Sequence, residues 1–383
     1  MSPTQKQNLG LFLGAIVVIG GLYWAYGAYQ SKQVADAAWP ALDGGIYTSA
    51  ITRDGVTSLI PNDQLYDGGV LEGGIPALTN PKYSSVLASD SVIADRLMGI
   101  DIAINGEHRY YPVQIMNWHG VVNDTIGGTD VAITYCPLCG TGIVYERSLD
   151  TSFDNFPAIK TLSFSATGQV YNNNTILKDE ETGSLWVQAL GTAVQGSMIG
   201  KSLTVVPSQM MDWSTWKALY PSGSVLSTDT GIARDYARHP YGGYDTSKGV
   251  YFPLNHMSPD FTSKWVVYGI GDAAGGLGFA TEVLKGTGIM TAKLGEAPML
   301  AVYDYAIDAI RVFQTSEAFA FDFAKKRLTD TATGSVWNAR GLAISGDMKG
   351  TQLVEIPSVR GFWFCLAAMH PTWKAATSNV VEE

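Results

Sequence analysis

Residues 179–186 read DEETGSLW, and residues 330–337 read DTATGSVW. Asp179, Thr182, Gly183, Ser184 and Trp186 thus return as Asp330, Thr333, Gly334, Ser335 and Trp337, 151 positions on. This is the pattern of a turn that enters a strand: Asp and Ser accept from local backbone N–H groups, and Gly takes a positive φ. Asp179, Glu180 and Glu181 would also suit calcium, but a turn that occurs twice is better explained by what folding needs.

The register extends outward from this pair. At an offset of 150, Gly200, Leu203, Pro207, Ser208, Trp213 and Pro221 meet Gly350, Leu353, Pro357, Ser358, Trp363 and Pro371. Upstream the offset is 168, which sets Ile115, Gly127, Val144 and Tyr145 opposite Val283, Gly295, Val312 and Phe313. An insertion of about 17 residues near 150–160 reconciles the offsets, so 111–221 and 279–371 read as an ancient duplication. The expected fold is mainly β with a few short helices (β-rich α+β), two pseudo-repeat lobes following one transmembrane helix. The expected divisions are 1–36 for a cytoplasmic tip and membrane helix, 37–228 for the first lobe, 229–275 for a connector rich in Gly, Tyr and Arg, and 276–383 for the second lobe.

Composition agrees with β structure. Charged residues make up 16%, against 42 glycines and 29 Trp plus Tyr, a balance that favours turns and strands over helical bundles. A net charge of −10 without a basic cluster excludes a nucleic-acid surface. P-loop, dinucleotide, HExxH and GxSxG sequences are all missing.

Leu9 to Tyr29 is a run of 21 residues without a charge. As a helix it spans about 30 Å, the thickness of a bilayer's hydrocarbon core. Leu9, Phe12 and Ile16 supply its apolar body, while Tyr23 and Trp24 mark an interfacial end. The reading is a single-pass anchor in the inner (cytoplasmic) membrane, in contact with lipid, with a periplasmic domain beyond it.

Val131–Tyr135 and Gly142–Glu146 are β-prone runs on either side of CPLCG, residues 136–140, which places that motif at a hairpin tip. Trp213–Tyr220 has helical spacing, with Asp212 as N-cap and Pro221 as a stop, and Trp363–His370 is its counterpart. Cys136, Cys139 and His119 fall opposite Asp304, Ile307 and Thr287, so the second copy folds without them.

These motifs resemble a family. Tyr111-Pro112-Val113, Asn117-Trp118-His119, Tyr135 through Thr141, Asp179 through Trp186, Asp229-Thr230-Gly231, Arg234-Asp235-Tyr236, Pro240-Tyr241, Phe362-Trp363 and His370-Pro371 together are similar to the prokaryotic proteins catalogued as domain of unknown function 3179, over residues 40–375. The resemblance implies a shared fold and no particular reaction. Phe279-Ala280-Thr281 departs from the family's pattern, standing where the second copy would repeat an aromatic-Pro step.

Two thiolates on a tight turn can face one ion, and His119 is the best further ligand, so Cys136, Cys139 and His119 form a candidate copper or zinc site. The same pair would serve as a redox dithiol, although no helix follows it as in thioredoxin-like enzymes, or as a structural disulfide. Arg234, Arg238 and His239, beside Tyr241 and Tyr244, suit either an anion or aromatic stacking. Two functions remain open. One is a non-catalytic accessory subunit that caps a respiratory or photosynthetic membrane complex beside integral-membrane partners; the other is an extracytoplasmic metal or thiol-redox protein.

Overall fold

The computed structural model describes residues 45–47, 49–70, 73–149 and 161–377. Within them the chain is mainly β, in six sheets, with no α-helix longer than seven residues. The expected anchor, with Leu9, Phe12, Ile16, Tyr23 and Trp24, lies outside the described residues. No helix among the described residues is long and apolar enough to cross a membrane.

Three sheets belong to each half. One runs Ser208–Asp212, Met98–Ile104, Glu107–Pro112, Ser224–Leu226, and its second-half counterpart runs Val359–Phe362, Val266–Gly271, Gly276–Ala280, Trp373–Ala375. Another runs Val205–Val206, Thr141–Glu146, Thr129–Cys136, Val121–Ile126, beside Val354–Ile356, Ala309–Gln314, Ala297–Asp304, Ile289–Leu294. The last is a meander of Phe164–Tyr171, Asn174–Asp179, Leu185–Val187 and Thr192–Gln195, beside Phe319–Asp322, Arg327–Asp330, Val336–Trp337 and Ala343–Ser345. Second-half sheets stop at four strands, whereas first-half sheets gain edge strands from residues 51–85. Val266–Gly271 lies inside the stretch read from sequence as connector, yet it is a central strand of a second-half sheet.

The TGS turns explain their own recurrence. Asp179 accepts from Thr182 N at 2.6 Å and from Trp186 Nε1 at 2.8 Å; Asp330 accepts from Thr333 N at 2.6 Å and Trp337 Nε1 at 2.9 Å. One buried carboxylate therefore closes each turn and orients the indole that fills the sheet behind it. This is a structural duty, as the sequence suggested.

The helices are α1 (Val86–Ser89), α2 (Val113–His119), α3 (Trp213–Leu219), α4 (Thr281–Thr287) and α5 (Trp363–Met369). Asp212 caps α3 by accepting from Thr215 N at 2.7 Å, and α3 buries only Trp213 and Trp216. By contrast every residue of α5, WFCLAAM, is buried. A helix that is apolar all round needs cover on all sides. Residues 42–383 form one compact unit, and within it α5 is covered by both halves. Phe364, Cys365 and Met369 pack with Tyr171, Ile176 and Val187 of the first half, while Trp363, Leu366 and Ala367 pack with Val267 and Ala280 of the second.

Candidate functional site

The CPLCG segment forms the expected hairpin tip, with Cys136 paired to Thr141 across Thr129–Cys136 and Thr141–Glu146. Its tip is pressed onto the second half. Phe362 N donates to Cys139 O at 2.8 Å, and Arg360 donates to Gly140 O at 3.0 Å. Two glycines permit this approach. Gly140 has φ of 61° and faces the Phe362 ring, and a Cβ on Gly361 would stand 2.7 Å from Thr141 Cγ2.

Cys139 forms a disulfide with Cys365 of α5, across 226 residues of sequence, with Cα atoms 5.5 Å apart. The neighbour that the CxxC spacing suggests is thus not its partner. Cys136 is a free thiol, fully buried, donating to Asn173 O at 3.4 Å; burial pushes its pKa up and so disfavours the thiolate.

His119 ends α2 and is also fully buried. Its Nδ1 lies 2.7 Å from Pro76 O, which only accepts, so Nδ1 carries the proton and Nε2 accepts from Tyr236 OH at 2.6 Å. Burial lowers the His119 pKa and keeps the ring neutral. Tyr236 OH is in turn 2.7 Å from Thr230 Oγ1. His119 therefore pins the Asp229-Thr230-Gly231 turn and the Arg234-Asp235-Tyr236 segment to the first half. The structure does not bring Cys136, Cys139 and His119 together as a ligand set: Cys139 sulfur is bonded to Cys365, both His119 nitrogens are engaged, and no group of three or more His, Cys, Asp or Glu among the described residues is placed to hold a metal ion.

The same motifs instead surround a cleft of about 490 Å³. Tyr135, Pro137 and Gly140 of the hairpin form one wall, α2 contributes Asn117, and Tyr236 to Asp245 of the connector close over it. Arg360 and Phe362 complete the wall from the second half. Four cations reach the cleft (Arg96, Arg238, Lys264 and Arg360) against one carboxylate, Asp245. Lys264 sits 3.3 Å from the Tyr244 ring centroid, donates to Tyr244 O and Ser247 Oγ, and burial lowers its pKa. Arg238 lies over Trp118, 5.3 Å from the ring centroid. Asn117, 5% exposed, has no hydrogen-bond partner for its Oδ1.

A second cavity, about 440 Å³, lies on the other side of Arg360 and Met210 and is lined by Pro207-Ser208 and Pro357-Ser358. Its principal cation, Arg311, is already paired with Asp304 at 3.3 Å and Glu355 at 3.0 Å. Of the cleft's cations, sequence reading singled out only Arg238. Arg96, Lys264 and Arg360 carry no local signal, because two turns and a strand distant in sequence bring them in.

The family model described as "Protein of unknown function (DUF3179)" matches residues 72–373, well over half the chain. No curated protein and no solved structure matches it.

Proposed function

We propose that this chain, which belongs to the DUF3179 family, is a non-catalytic, membrane-anchored accessory subunit whose extracytoplasmic β unit caps a larger membrane assembly, respiratory or photosynthetic in kind. The observation that carries the reading is the Cys139–Cys365 bridge. A buried structural disulfide between the halves suits an oxidising compartment outside the cytoplasm. It also turns the most distinctive motif of the chain into a clasp, which is what a rigid cap needs. Leu9 to Tyr29 would supply the anchor, with lipid on its flanks and integral-membrane subunits as neighbours. The matched strand orders of the two halves support an internal duplication as the origin of this body.

The test is electrophoresis of native membranes solubilised in mild detergent. The expected outcome is co-migration with defined membrane subunits, well above the 41.1 kDa of the chain. Migration as a lone monomer overturns the reading.

Thiol-redox chemistry is the second reading, favoured by the free Cys136 three residues from the bridge. Its thiolate would attack Cys139 Sγ, forming a Cys136–Cys139 bond and releasing Cys365 as a thiolate, with no net oxidation. A copper or zinc site would need a reductant for the bridge and further ligands besides.

A further inference from the structure

We propose that the cleft beside the CPLCG tip binds a small anion with an oxyanion head, carboxylate or phosphate, on an apolar or aromatic body. Three observations converge on this, and none depends on the accessory-subunit reading.

The first is charge. In a chain of net charge −10, four cations line one cleft against a single carboxylate. Arg109, Arg147 and Arg311 each have a carboxylate within 4 Å, whereas Arg96, Arg238, Lys264 and Arg360 have none among the described residues. Arg96 and Arg238 are exposed and Lys264 and Arg360 partly buried, so solvent screens part of the repulsion between these like charges, and an anion held among them relieves the rest.

The second is an unmet polar group. Asn117 sits in the cleft wall, nearly shielded from water, and one end of its amide has no partner. Leaving such a group unpaired is unfavourable unless something bonds to it. The O and N of an amide exchange places by rotation about the last side-chain bond, so this group can meet either an acceptor or a donor on a ligand.

The third is shape and lining. Tyr135, Tyr236, Tyr244 and Phe362 face the same space as Leu97 and Val266. A volume near 490 Å³ is the size that takes a small organic molecule. Inorganic anions would leave the aromatic walls unfilled.

Isothermal titration of the full-length, detergent-solubilised protein with phenyl phosphate, benzoate and inorganic phosphate tests the proposal. One-to-one saturable binding is expected for at least one aromatic probe, tighter than inorganic phosphate by about 10-fold or more, since the ring buries apolar surface that the inorganic ion lacks. Preference between phenyl phosphate and benzoate identifies the head group. Binding should weaken as salt is raised. It should fall at least 10-fold in the double variant Arg238→Gln/Lys264→Gln and in Asn117→Asp, which sets a carboxylate in the wall. Unliganded melting temperatures of both variants, and the Arg238→Lys variant as a charge-retaining control, separate lost binding from lost fold. Failure of all three probes to saturate at about 10 mM, or equal affinity in a folded double variant, overturns the proposal. Both readouts are independent of how the protein migrates in native membranes.

Discussion

Asp101 lies in strand Met98–Ile104, is 7% exposed, and accepts from Trp216 Nε1 at 2.7 Å. Burial pushes its pKa up to about 6. A carboxyl that holds its proton more tightly when folded contributes stability at low pH, and that contribution is lost as pH rises through about 4 to 6. The lost amount is on the order of 2–3 kcal/mol. Asp101→Asn keeps an oxygen for Trp216 but cannot ionise. Urea unfolding of the variant should therefore show a flatter dependence between pH 4 and 6, and stability above wild type at pH 7 by about 1–2 kcal/mol. An unchanged slope would mean that Asp101 is ionised at no cost. At this scale the sequence is readable where a residue serves its own neighbourhood: Asp179 and Asp330 were legible because their partners lie within seven positions. His119 was legible as a special residue, but its partners Pro76 and Tyr236 are 43 and 117 positions away, so its task was not.

Hairpin and helix follow the same rule at the next scale up. The CPLCG hairpin and the helix after Asp212 were legible from β-prone runs, capping and spacing. The Cys139–Cys365 bond was not, because CxxC points to a local pair or a shared ion. A signal did exist. Cys365 lies in an unbroken apolar run, WFCLAAM, as a residue of a helix buried on all sides should. For a loop of 226 residues, cross-linking restricts the unfolded chain by on the order of 5 kcal/mol in the chain-entropy picture. Cys139→Ala and Cys365→Ala should each lose about 2–5 kcal/mol, while Cys136→Ala loses about 1–2 kcal/mol for its small cavity. Thermal unfolding measures the difference. Non-reducing peptide mapping of the wild type should recover Cys139 joined to Cys365; a Cys136–Cys139 peptide would refute the assignment.

Over the whole molecule, the two halves share their interior. One cluster joins Tyr110, Trp213 and Trp216 of the first half to Phe279, Leu284 and Ile310 of the second. The bridge therefore reinforces a common core and does not merely tie two separate ones. Calorimetry should show a single unfolding transition in the oxidised protein and a single, lower one in Cys139→Ala; two resolved transitions in the variant would mean independent cores. That the chain is mainly β was legible from its glycines, aromatics and β-prone runs, but strand Val266–Gly271 was missed because the notched run of Gly, Tyr and Arg before it hides where the connector ends. The bridge also imposes an order on how the molecule is made. Ribosomes add roughly 5–20 residues per second, so Cys139 waits on the order of 10–45 s before Cys365 exists. Throughout that interval the only thiol within reach on the same hairpin is Cys136. Cys136 is buried against Phe362, Phe364 and Cys365 itself, so its thiol is fully covered only once the last stretch of chain has arrived, and the choice of partner for Cys139 stays open until then.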